Sequence, residues 1–189
     1  MDTQAASEAA PSRNASERRR VLGSSAWLTV PGTFAILAGG YAAMPPLDGA
    51  GDAAGRIVLA VRWLLVAFLP YAAVCLHILY QRFAEGAHNP LAHTATENLQ
   101  IHCRVMQNTL EQLVWFAICI LALATWLSPA QARFIPVACV FFAFARLVYW
   151  WGYLRNGTLG RGPAVQMTFT LNVSLMLGAI VQSVRGMMG

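Results

Sequence analysis

Five stretches of this sequence, 21–44, 56–81, 102–127, 134–154 and 165–184, are apolar over a length that crosses about 30 Å of hydrocarbon. No other feature narrows the possible folds as far. Inside a bilayer the backbone has no water to bond to, so a lone segment of this kind must satisfy its own N–H and C=O groups as a helix. The chain is therefore expected to be an all-α integral membrane protein. Hydrophobic residues make up 57% of the 189 and charged residues 11%, a balance that a soluble domain does not tolerate.

The connections suggest how the five helices are arranged. Residues 1–20 are small and polar before ending in Arg18, Arg19 and Arg20, and they read as a disordered cytoplasmic tail. The run at 21–44 outlasts a secretory signal core and contains Pro31, so it reads as an uncleaved helix kinked at that proline. Arginine is retained on the cytoplasmic side of membranes. With the N-terminus inside, Arg13, Arg18, Arg19, Arg20, Arg82, Arg104, Arg155 and Arg161 face the cytoplasm, against Arg56, Arg62, Arg133 and Arg185 outside. The C-terminus is then external. All 13 basic residues are arginine, a bias of GC-rich bacterial genomes that points to a bacterial inner membrane. The loop at 83–100 is the longest inner link and a candidate lid. The link at 128–133 is so short that the third and fourth spans are expected to be antiparallel neighbours.

Within the third span, Arg104, Asn108 and Glu111 break the apolar pattern. At about 100° per residue, Asn108 lies about 40° to one side of Arg104 and Glu111 about 20° to the other, giving one polar stripe about 10 Å long. Each charge facing hydrocarbon would cost about 2.5–3.5 kcal/mol, so the stripe must meet protein or water. The fourth span carries a second stripe, Arg146, Tyr149 and Tyr153. The proposed orientation brings both stripes, with Arg155 and Arg161, to the inner leaflet. Two readings stay open. Arg104 and Glu111 form an ion pair that fixes packing, with Asn108 as a cap, or the two stripes hold a polar, anionic guest.

Other residues invite simpler readings. The net charge of +5 does not mark a nucleic-acid partner, because the arginines are scattered between spans. Cys75, Cys103, Cys119 and Cys139 lack paired spacing and read as buried thiols filling space. His88, His93, Glu97 and His102 have no supporting metal-ligand pattern, and no metal is expected. His77 reads as a hydrogen-bonded packing residue, and Trp150 and Trp151 as an interfacial aromatic belt. Arg62 is expected to reach the outer headgroups, Asp48 or Asp52.

The segment CRVMQNTLEQ followed by FARLVYWWGY resembles the MAPEG family, the membrane-associated proteins of eicosanoid and glutathione metabolism. Its signature is Arg-x-x-x-Asn-x-x-Glu on one helix and Arg-x-x-Tyr-x-x-x-Tyr on a later one. The similarity covers four helices, about residues 57–187, and the first helix lies outside it. Five spans, with AVRWLLVAFLP opening the second, look most like the five-helix mattrin branch. The resemblance implies a four-helix domain over 56–187, a homotrimer, and glutathione bound between subunits near the cytoplasmic face. Arg104, Asn108, Glu111, Arg146, Tyr149 and Tyr153 would bind it. Arg161 would stand near the thiol, with Arg155 in reserve, and an apolar substrate would arrive from the membrane lipids.

Catalytic members usually follow the glutamate with an aromatic residue and a proline, whereas here Gln112, Leu113 and Val114 follow Glu111. Gly160 and Gly162 around Arg161 suggest a flexible turn. The resemblance therefore implies either a glutathione-dependent transferase or peroxidase acting on lipophilic electrophiles, or a non-catalytic lipid- or thiol-binding scaffold or regulator of the mattrin type. A small transporter would need a continuous polar path, of which Arg62 is the single hint.

Overall fold

A computed structural model describes residues 25–85 and 96–188. The tail at 1–20, the first residues of the expected first span, and His88 and His93 in the inner loop lie outside the described residues. Among the described residues there are five helices: α1 (Ser25–Ala43), α2 (Ala53–Ala84), α3 (Glu97–Trp126), α4 (Phe134–Gly160) and α5 (Gly162–Met188). All five are long and apolar enough to cross a membrane. Their outer faces carry large apolar side chains in the open, among them Leu65, Leu76 and Ile118, a surface suited to hydrocarbon and not to water.

Local chemistry sets the helix ends. The Asp52 carboxylate accepts from the Gly55 N–H at 2.8 Å and caps α2, which occupies it in the fold; Arg62 is exposed on the same helix. Thr96 caps α3 by accepting from Leu99 N–H, so α3 begins five residues before the apolar run that starts at His102. In the link before α4, Ser128 N–H donates to Gln131 Oε1 while Gln131 N–H donates to Ser128 Oγ, the reciprocal pattern of a capping box. α1 is helical across Pro31, where the missing N–H leaves the Trp27 carbonyl without its usual partner.

α2 and α5 each pack against both α3 and α4, and do not touch one another among the described residues. α3 and α4 do meet, but theirs is the least extensive of the helix pairings. The short link at 128–133 thus joins helices that face each other across the bundle and do not lie side by side. One of their meetings is aromatic: the rings of Phe116 and Phe142 stack with centroids 4.6 Å apart, and both are fully buried.

The interior is divided along the length of the helices. One apolar cluster gathers Ala60, Leu113, Phe116, Ile120, Phe142 and Leu171 among others. A second gathers Val74, Ile78, Leu99, Val105, Tyr149, Tyr153 and Ala164. Between them lie polar side chains: Asn108, Thr109 and Gln112 on α3, Arg146 on α4, and Thr168 and Asn172 on α5. α1 rests outside these four helices. Gly40 lets it approach α4 so closely that a Cβ there would come within 2.8 Å of Val137 Cγ1. Apolar grooves of about 450 and 420 Å³ flank α1 on its two sides.

Candidate functional site

Five of the sequence-predicted residues, Asn108, Arg146, Tyr149, Tyr153 and Arg161, converge between the polar layer and the end of the bundle where α3 begins and α4 ends. Arg146 is 1% exposed, and its Nη1 donates to Asn108 Oδ1 at 3.1 Å. Its guanidinium lies over the Tyr149 ring, 4.2 Å from the centroid. Tyr149 and Tyr153 stack with centroids 6.1 Å apart. Arg161 Nη1 donates to Tyr149 Oη at 3.1 Å, and the Arg161 guanidinium sits 4.8 Å from the Tyr153 centroid. The result is one connected chain of contacts, Asn108–Arg146–Tyr149–Arg161, with Tyr153 against its last members.

Arg104 and Glu111 stand differently. Both are exposed on the outward side of α3. Glu111 accepts from Gln107 Nε2 at 3.2 Å, and Asn108 faces inward to Arg146. Among the described residues no ion pair joins Arg104 to Glu111 within the chain. Their exposure still needs cover, since charges at this depth are costly against lipid. Arg155 also points away from the cluster, with its guanidinium 4.5 Å from the Trp151 centroid.

The polar layer contains residues that sequence spacing did not single out as a site. Asn172 Nδ2 donates to both the backbone carbonyl and the Oε1 of Gln112, at 3.1 and 3.0 Å. Arg146 Nε and Nη2, Thr109 Oγ1 and Asn172 Oδ1 are buried without a hydrogen-bond partner among the described residues. A cavity lined by Asn108, Gln112, Arg146, Val165, Thr168 and Phe169 lies beside them, with about 20 Å³ open. That is room for about one water and not for a tripeptide. The available signal was the rarity of an asparagine in the middle of an apolar span, which is itself a pointer to function or to helix–helix bonding.

Trp150 departs from the aromatic-belt expectation. It is half-buried, and its Nε1 donates to His102 Nδ1 at 3.0 Å, while His77 packs edge-on against His102 with centroids 4.4 Å apart. An indole N–H finds no acceptor in hydrocarbon, and the buried imidazole supplies one. Trp151 keeps its exposed position. All four cysteines are free thiols; Cys119 and Cys139 are buried and Cys75 and Cys103 half-buried.

No curated protein and no solved structure matches the chain. A family model does match, over residues 58–181, which takes in α3 and α4 whole, most of α2 and α5, and every residue of the convergent cluster. By that match the chain, an integral membrane protein of five apolar helices, belongs to the MAPEG family, whose members are membrane-associated and serve glutathione and eicosanoid metabolism.

Proposed function

We propose that the cluster binds glutathione and that the protein is a membrane-embedded transferase or peroxidase for lipophilic electrophiles. The observation that carries this reading is the pairing of Arg161 with Tyr149 above a buried Arg146 that keeps two donors unspent. A buried cation with unused donors suits an anionic guest. The inner cavity is too small for a tripeptide, so only one end of the guest reaches the cluster around Arg146, and the rest lies along the outward side of α3 against Arg104 and Glu111. A second copy of the chain closes that side, in a homotrimer, which also takes the two charges out of contact with lipid. The site then faces the cytoplasm of a bacterial inner membrane, with the N-terminus inside and the C-terminus outside.

The residues fit the chemistry. Arg104 suits a carboxylate, Glu111 an ammonium group, and Asn108, Tyr149 and Tyr153 the amides. A thiol with a pKa of about 8.5 is a few per cent thiolate at neutral pH, and a guanidinium beside it that lowers this by about two units makes thiolate the main form. Arg161 is the residue assigned to this role. The thiolate then attacks an apolar electrophile arriving from the surrounding lipid.

A second reading is favoured by Gln112. It stands where catalytic relatives usually carry an aromatic residue, and it is bonded to Asn172, so this part of the layer serves packing. On that reading the protein is a non-catalytic scaffold or a mattrin-type regulator that binds lipid or thiol without turnover. The two are separated by following glutathione consumption with chlorodinitrobenzene in wild type and Arg161→Ala. The enzyme reading predicts a fall of about 20-fold, the loss of thiolate at neutral pH. Absence of any arginine-dependent rate, with glutathione binding retained, selects the scaffold.

A further inference from the structure

Arg161 follows Tyr149 by twelve residues, a separation of about 18 Å in a straight helix, yet the two side chains are hydrogen-bonded. The backbone accomplishes this by turning back on itself. Asn156 leaves helical geometry at φ −131°, ψ 21°, and Gly157 adopts φ 55°, ψ −133°. That is close to the first central position of a type II′ turn, which glycine alone occupies without strain. The returning segment then lies against α4 at a glycine–glycine contact. A Cβ on Gly152 would collide with the Gly160 carbonyl, its carbon 2.9 Å away, and would meet Arg161 N at 3.4 Å. A Cβ on Gly160 would strike the Gly152 carbonyl and come within 2.8 Å of Asn156 Cβ. The flexible turn expected of Gly160 is therefore a close-packed one.

We infer that Gly152, Gly157 and Gly160 are positioning residues that fold the last residues of α4 back onto its preceding turns and hold the Arg161 guanidinium on Tyr149. The hydrogen bond depends on this fold-back whatever the cluster binds; the consequence for thiol chemistry rests on the function proposed above. Any side chain at 152 or 160 lifts the returning strand off α4 by displacing backbone, which no rotamer change relieves. Gly157 acts by conformation alone, because a Cβ there meets nothing within 4 Å.

The test has two readouts on full-length protein in detergent micelles. The first is the non-additivity in thermal unfolding of Arg161→Ala and Tyr149→Phe, measured in wild type, Gly160→Ala and Gly157→Ala backgrounds. Coupling is expected in wild type and absent in both glycine variants; coupling that persists in either folded variant overturns the inference. Gly157→Ala introduces no collision, so it decides the matter should Gly160→Ala not fold. The second readout is turnover with glutathione and chlorodinitrobenzene. The glycine variants are expected to lose at least tenfold in kcat with KM within twofold of wild type. Loss of coupling in a protein whose wild type shows no arginine-dependent turnover upholds the positioning role while removing the enzymatic one.

Discussion

Two buried arginines, one at an end of the bundle and one in its middle, are used in opposite ways. Arg56, near the start of α2, donates through Nε to the Ala124 carbonyl at 3.1 Å and through Nη2 to the Thr125 carbonyl at 3.4 Å. Its Nη1 reaches the carbonyls of Ala50 and Gly51, each at 3.3 Å. Every nitrogen is engaged, and two of the four bonds land on the last turn of α3, where carbonyls lack helical partners and the helix dipole favours a cation. Among the described residues Arg146 makes one hydrogen bond, to Asn108, and its Nε and Nη2 are unpartnered. Burial is alike, at 8% and 1% exposed. What differs is satisfaction: one arginine has spent its donors on the fold, and the other has kept them. A residue of the second kind is a poor staple, which supports reading it as part of a binding site.

Substitutions should pull the two apart. Arg56→Ala strands buried carbonyls at the α3 terminus and should cost about 3 kcal/mol in thermal unfolding. Glutathione affinity of the protein that remains folded should stay within twofold; a large affinity change would place Arg56 in the same system as Arg146. Asn108→Leu removes the bond to Arg146 and leaves its third donor buried and unpaired, at about 2 kcal/mol. An unchanged unfolding temperature would mean that the Asn108–Arg146 bond carries no weight.

Arg146→Met should move stability by less than about 1 kcal/mol, or raise it, because it replaces a half-satisfied buried charge with an apolar chain. It should nevertheless weaken glutathione binding about tenfold, or about 1.4 kcal/mol. The reverse pattern, large destabilisation with intact binding, would make Arg146 structural like Arg56. The smallest effect on the single chain is expected for Arg104→Ala with Glu111→Ala, since both residues are exposed there. Unfolding of the isolated protomer should shift by no more than about 0.5 kcal/mol, while crosslinking between copies should fall if a second chain covers that face.

Much of this was legible beforehand. Helices and membrane spans follow from apolar runs, because hydrocarbon leaves the backbone no alternative, and helical spacing placed Arg104, Asn108 and Glu111 on one stripe and Arg146, Tyr149 and Tyr153 on another. The stripes did not disclose how their members divide. Asn108 turns to Arg146 while Arg104 and Glu111 remain outside, a split that angular differences of a few tens of degrees leave undecided until the neighbouring helices are in place. Trp150 looked like its neighbour Trp151, and only the presence of His102 across the helix pair distinguishes them.

The sequence by itself determined the class of the protein, the number of its membrane-crossing helices and its membership of a family, because each depends on patterns within one segment or in ordered pairs of segments. Tertiary structure alone decided that α3 and α4 face each other across the bundle, that Asn172 ties α5 to Gln112 of α3 within a polar layer, and that Arg161 returns to Tyr149. Those outcomes depend on distances between residues far apart in the chain. Such distances are set by side-chain volume and by the few points, such as Gly152 and Gly160, where two stretches of backbone touch.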